Sequence, residues 1–360
     1  MSIFYFKTIR IILNLHKIFL YIFLKFFQVY SSGDFDSYKY YGDEKLLVNI
    51  EKYLDLPSLD SLNYSHTPKK TLIIVEKFTF KIFIQNILNL PRLRVIDRHY
   101  FGLVGANSLF RLLFNDFTNK NTKELIIKNS FANYLDLISE LANKKDIYVL
   151  GNNENFSHIL ENHNPQYLLT CNSAINNQKI FDSELLILSF SDPLFHFGLN
   201  NQAKEYRKKL EQVLNNKSLN KVYLVVPIEG IPLVKKLNIP EKIIIVGLDS
   251  TYFQSKLIKI KQNKIFTRNS HNVFTQYLLP IASVNPNLIH IGAVTFASQD
   301  SYSNKLWKHD PKIKKTSNYN FAFDESFFAD RDFKKYYKFH DKQLSRIMNK
   351  IPNKRIITNE

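Results

Sequence analysis

The chain has 360 residues, 49 Lys plus Arg against 32 Asp plus Glu, a formal net charge of +17, and a hydrophobic fraction of 45%. That apolar content excludes intrinsic disorder and provides core material for about two domains. Its single cysteine, Cys171, excludes an internal disulfide and a multi-cysteine metal knuckle, and its 9 glycines include neither GxGxxG nor GxxxxGK[ST], which argues against dinucleotide oxidoreductases and P-loop NTPases.

Residues 3–30, IFYFKTIRIILNLHKIFLYIFLKFFQVY, carry Lys7, Arg10, Lys17 and Lys25 and no acid. The longest uncharged run is the seven residues between Lys17 and Lys25, too short for a bilayer that needs about 20. Polar positions at Lys7, Arg10, Asn14, Lys17, Tyr21, Lys25 and Gln28 are spaced by three or four, which places them on one helical face. The spacing predicts a basic amphipathic helix over 1–30 that lies on an anionic membrane surface. Packing on the protein's own core, or in a homodimer, is the alternative. Charge within the apolar run, and no small-residue cleavage site after it, disfavour a secretory signal.

Residues 31–70 hold turn formers without a sustained period and read as a linker. In 71–145, short apolar runs (Leu72 to Val75, Leu93 to Ile96) alternate with helical spacing (Phe78 to Leu88, Leu109 to Phe114), as expected of an α/β region. The alternation is clearest in 146–330. Strands are predicted at 147–150, 167–171, 185–190, 221–226, 242–246 and 288–294, with helical stretches at 203–214 and 273–284 between them. This pattern predicts a doubly wound, mostly parallel α/β sheet. Residues 331–360 read as a basic helix and a polar tail; from Lys305 to Glu360 there are 14 cations against 7 acids, a surplus of +7. No repeat appears at solenoid periods.

Ligands of open parallel sheets collect beyond the carboxyl ends of the strands. Four turns there are rich in short polar side chains: Gly151-Asn152-Asn153-Glu154-Asn155, Asn172-Ser173, Ser191-Asp192-Pro193, and the loop ending Trp307-Lys308-His309-Asp310. Such residues can bind a sugar or a base edge, and helix-start amides suit phosphate. The same residue types also cap helices.

Gly151-Asn152 after a strand, the Cys171-Asn172 pair, and Arg268-Asn269-Ser270-His271-Asn272-Val273 before a helix and then LIHIGAV resemble the layout of bacterial sialyltransferases and related motility-accessory-factor-type proteins. The resemblance covers about residues 146–345, with GNNENF in the place of a GNGPSL-like turn. It implies a Rossmann-like sheet of the GT-A-variant sialyltransferase type that holds a CMP-sugar without a metal or other cofactor. Gly151 and Asn152 would approach the nucleotide, Asn172 the donor sugar or phosphate, and Asp192 the ribose or sugar. Ser270 to Asn272, helped by Arg268, would face the cytidine phosphate, and Tyr302 and Lys308 would stabilise the leaving phosphate. One histidine would be the general base, with His309 preferred by position over His340 and His271.

The function expected is therefore transfer of a sugar from a nucleotide donor to a bacterial surface glycan or lipid-linked acceptor, with the protein peripheral on the cytoplasmic face of the inner membrane and a homo-oligomer admissible. No nucleic acid partner belongs to this reading. Two other classes compete. A basic nucleic-acid-binding protein accords with the charge but lacks a recognisable binding motif, and a noncatalytic membrane scaffold of a polysaccharide assembly complex accords with the first 30 residues alone.

Overall fold

The computed structural model describes residues 37–41, 71–75, 84, 93–95, 114, 118, 120–191, 196–197, 201–215, 220–238, 240–251, 256–268, 270, 272–294 and 333–357. The chain divides into two compact units, Met1–Lys123 and Glu124–Glu360. The expected amphipathic helix over 1–30 lies outside the described residues. Among the described residues no helix is long and apolar enough to cross a membrane.

In the first unit, β1 (Ser37–Tyr41), β2 (Thr71–Val75) and β3 (Leu93–Val95) form a parallel sheet in that order. β2 and β3 coincide with the two short apolar runs. The sequence of β1, SYKYY, has no such run and read as linker.

The second unit is an α/β assembly on a nine-stranded, mostly parallel sheet. Its strands are β4 (Ile147–Leu150), β5 (Tyr167–Cys171), β6 (Leu185–Ser189), β7 (Lys221–Pro227), β8 (Ile243–Thr251), β9 (Ile258–Lys261), β10 (Lys264–Arg268), β11 (Ile289–Gly292) and β12 (Lys354–Ile356). They lie in the order β12-β11-β4-β5-β6-β7-β8-β10-β9, and only the β9–β10 pairing is antiparallel. The six strands expected over 146–330 are present. β9, β10 and β12 are additional, because strands this short and lysine-rich have no continuous apolar run to betray them.

The inner strands are apolar at successive positions because both of their faces are buried, as in LLILS of β6. One set of alternate residues, including Val149, Leu169, Ile187, Val225 and Val246, shares a core with three helical segments. The first is the helix Lys120–Ala142, whose buried Ile126, Ser130, Tyr134, Leu137 and Leu141 recur every three or four residues. The second is a π-helix, Phe274–Leu278, continued by Leu279–Ala282. Pro280 has no N–H for the Gln276 carbonyl four residues earlier, so the regular ladder is interrupted there. The third is the terminal helix Phe333–Met348, whose Leu344, Ile347 and Met348 join Val273, Phe274 and Tyr277.

Polar contacts fasten the first of these helices to the sheet. Asn133 donates to the Ile245 carbonyl at 2.7 Å, the Tyr223 hydroxyl bonds Asp136, and Lys221 pairs with Asp136 at 3.1 Å and with Glu140 at 3.0 Å. The helix Phe156–His163 ends at Asn164, a left-handed residue (φ 42°) followed by Pro165.

Candidate functional site

The chain adds β4 to β8 in one direction and then returns to lay β11 against the opposite edge of β4. The strand order therefore reverses between β4 and β11, and the crevice past their carboxyl ends is where ligands of open α/β sheets bind.

Gly151 leaves β4 at this point. Its N–H donates to the Gly292 carbonyl at 3.0 Å, and Asn153 donates to the Ala293 carbonyl at 3.1 Å, so the turn after β4 is bonded to the end of β11. Asn152 turns toward the neighbouring strand, where its Nδ2 donates to the Cys171 carbonyl at 2.9 Å. Its Oδ1 is buried without a hydrogen-bond partner. Asn172 follows β5 in the left-handed conformation (φ 49°), which asparagine tolerates, and its Oδ1 is also buried and unpartnered. The Ser173 hydroxyl beside it is in the same state, as is that of Ser189, the last residue of β6 and the register partner of Cys171.

The carboxyl ends of β4, β5 and β6 thus carry two carboxamide oxygens and, with Thr170 of β5, three hydroxyls, each without a partner among the described residues. Leaving such an atom unsatisfied in a protein interior costs about 1–3 kcal/mol. Asn oxygens accept hydrogen bonds and serines can also donate, so the set suits the part of a ligand that is rich in hydroxyl or amino groups. The adjacent Cys171 thiol is no nucleophile, because burial pushes its pKa up to about 12.

The other expected residues are distributed as follows. Arg268 ends β10, opposite Thr251 of β8, two residues before Ser270. Burial, and then the charge of Arg346 on the terminal helix, hold its pKa below the usual arginine value. Ser270 and Asn272 open the helix that leads back over the sheet to β5 and β4. Asn272 Oδ1 accepts from the Phe274 N–H at 2.9 Å, and Thr275 donates its hydroxyl to Ser270 Oγ at 2.8 Å. The first bond satisfies a backbone N–H at the helix start, and the second ties two side-chain hydroxyls together. His340 lies on the terminal helix, 3% exposed, and burial lowers its pKa to about 4. Asp192, His271, Tyr302, Lys308 and His309 lie outside the described residues.

Sequence reading passed over Ser189 and Gln343. Ser189 is the lone hydroxyl inside LLILSF, which was the available signal. Gln343 sits one turn after His340 on the same helix, 2% exposed, with its Oε1 unpartnered. His290, by contrast, belongs to the other end of the strands, where it stacks on Tyr148 and bonds Asp146 at 3.1 Å. Compared with known proteins, the chain has no match among family models, curated proteins or solved structures.

Proposed function

We propose that this protein is a metal-independent glycosyltransferase that moves a sugar, in the leading case an acidic sugar carried by a CMP donor, to a bacterial surface glycan or lipid-linked acceptor. The observation that carries this reading is the set of unpartnered side-chain oxygens of Asn152, Asn172, Ser173 and Ser189 at the carboxyl ends of three successive strands. A nucleotide sugar offers hydroxyl and amino groups in the density such a set needs. The reversal of strand order at β4 and β11 further supports a doubly wound, Rossmann-like sheet of the sialyltransferase type.

In this reading Gly151 and Asn152 lie by the nucleotide and Asn172 by the donor sugar or phosphate. Asp192 meets the ribose or sugar, and Arg268, Ser270 and Asn272 lie toward the phosphate. Tyr302 and Lys308 stabilise the leaving phosphate. His309 takes the acceptor's proton. His340 is the weaker base, because a site that holds an imidazole pKa near 4 disfavours the protonated product of that step. The protein works as a peripheral protein on the cytoplasmic face of the inner membrane, with residues 3–30 on the lipid surface.

Thermal denaturation of the full chain with CMP, UMP, GMP and their sugar conjugates tests the reading. A ligand present at 100 times its Kd adds about 2.7 kcal/mol of stability. A shift with one nucleotide class that Asn152→Ala and Ser189→Ala both weaken supports the assignment. Absence of any shift across nucleotides and nucleotide sugars removes it.

A further inference from the structure

Residues 250–299 contain no Asp or Glu, although the chain holds 32 acids. Within them lies the hairpin of β9 and β10, with cations at Lys259, Lys261, Lys264 and Arg268. Its turn residues, Gln262 and Asn263, both have left-handed φ values (50° and 57°), the geometry of a two-residue hairpin loop. That turn sets the register Lys264↔Lys261, Ile265↔Ile260, Phe266↔Lys259 and Thr267↔Ile258.

Strand alternation then sorts the side chains. Ile258, Ile260, Ile265 and Thr267 share one face, and Ile265 and Thr267 are buried. Lys259, Lys261, Lys264, Phe266 and Arg268 share the other, with Asp249 of β8, the register partner of Phe266, on that same face. Lys261 and Lys264 are directly opposed, an arrangement that costs stability through like-charge repulsion. Among the described residues neither of them, nor Lys259, forms an ion pair.

Two ordinary reasons for lysine at this place fall short. Lysine on an edge strand blocks pairing with another chain, which accounts for Lys259 and Lys261 on β9. It does not account for Lys264, because β10 is hydrogen-bonded on both sides, to β8 and to β9. A lysine-rich composition does not account for it either, since Asp249 is the one acid among residues 249–299 and composition alone adds cations without thinning acids.

We propose that the three lysines of this face, Lys259, Lys261 and Lys264, are a docking surface for an anionic lipid membrane, separate from residues 3–30 and from Arg268, which belongs to the transferase reading. Lysines are compact hydrated point charges that suit the diffuse negative potential of a lipid surface. Nucleic acid recognition relies on arginine forks and on several exposed stacking rings, and this face has one half-buried aromatic, Phe266.

The test is sedimentation of the full chain with vesicles of phosphatidylcholine containing phosphatidylglycerol and with phosphatidylcholine alone. Each lysine near an anionic surface is worth about fivefold in partitioning, so Lys259→Gln, Lys261→Gln and Lys264→Gln together are expected to weaken binding to the anionic vesicles by roughly tenfold or more. A control that removes the same charge from exposed Lys179, Lys208 and Lys235 is expected to stay within about twofold of the parent. Repeating the comparison with Lys7, Arg10, Lys17 and Lys25 changed to Glu keeps the first 30 residues from masking the effect. An unchanged hairpin variant in both backgrounds overturns the proposal, as does an equal loss in the control. Loss of single-stranded oligonucleotide retention with vesicle binding intact assigns the face to nucleic acid and also overturns it. The thermal midpoint of the hairpin variant is expected not to fall, since the substitutions relieve the Lys261–Lys264 repulsion.

Discussion

Gly151 approaches Ala293 so closely that a Cβ at position 151 would lie 2.4 Å from the Ala293 carbonyl oxygen. The obstacle is backbone, held in place by the Gly151 to Gly292 and Asn153 to Ala293 hydrogen bonds, so it cannot swing aside as the end of a side chain does. The sequence motif that reads as a nucleotide-approach glycine therefore also has a local structural reason. Gly151→Ala is expected to destabilise the protein by about 1–3 kcal/mol, the usual range for overpacking. Urea midpoints of the two proteins check this. A midpoint equal to that of the parent would mean that β4 and β11 separate easily at their carboxyl ends.

Ser189 offers a test in which stability and binding move in opposite directions. Removing an unpartnered buried hydroxyl is expected to leave the ligand-free protein as stable as before or up to about 1 kcal/mol more stable. Nucleotide affinity should instead fall by about 0.5–1.5 kcal/mol, the ordinary worth of one hydrogen bond. Asn172→Gly is the companion variant, since glycine keeps the left-handed backbone while deleting the carboxamide. Calorimetric titration with the nucleotide found by thermal screening reads the binding change. A marked loss of stability in Ser189→Ala would show that the hydroxyl is bonded within the protein.

His340 gives a pH dependence with a definite sign. Burial lowers its folded pKa from 6.5 to about 4, so the unfolded chain binds the proton more readily than the folded one. The contribution of this group to stability is complete above pH 6.5 and is lost as pH falls toward 4, by about 3 kcal/mol at the acid end. His340→Gln removes that titration. The gap in unfolding free energy between parent and variant should therefore narrow from pH 7 to pH 4.5, whatever the other groups do. A gap that stays constant with pH means that the imidazole titrates alike in both states.

His309→Ala is expected to lower transfer by about 10² to 10⁴ while nucleotide affinity stays near the parental value, which is the signature of a lost general base. Single-turnover transfer and equilibrium nucleotide binding are the two readouts. Near-parental turnover moves the role to His271 or His340.

The strands most legible in the sequence were those buried on both faces. IYVL, YLLTC and LLILS announce themselves because an inner parallel strand has no solvent side and so needs no polar residue. β12 did not, because KRI lies at the sheet edge and its pairing is decided by the return of the terminal helix alongside β11. Arg268 illustrates a different case. It adjoins the helix start at Ser270 to Asn272, and its pairing in β10 was not legible because a five-residue strand and the residues before a helix cap look alike in sequence.

For this chain, periodicity alone determined the α/β class, the position of the inner strands, and the polar turns that follow them, because these depend only on which side chains must leave water. Tertiary structure decided which strands are neighbours, and hence that β11 lies against β4 and that the oxygens of Asn152, Asn172, Ser173 and Ser189 share one edge of the sheet. It also decided that Ser189 Oγ and Gln343 Oε1 are buried without partners among the described residues, and that three lysines of an edge hairpin gather on one face. Hydrogen-bond satisfaction and the register of a strand pair depend on groups far apart in the chain. Local sequence cannot encode them one residue at a time.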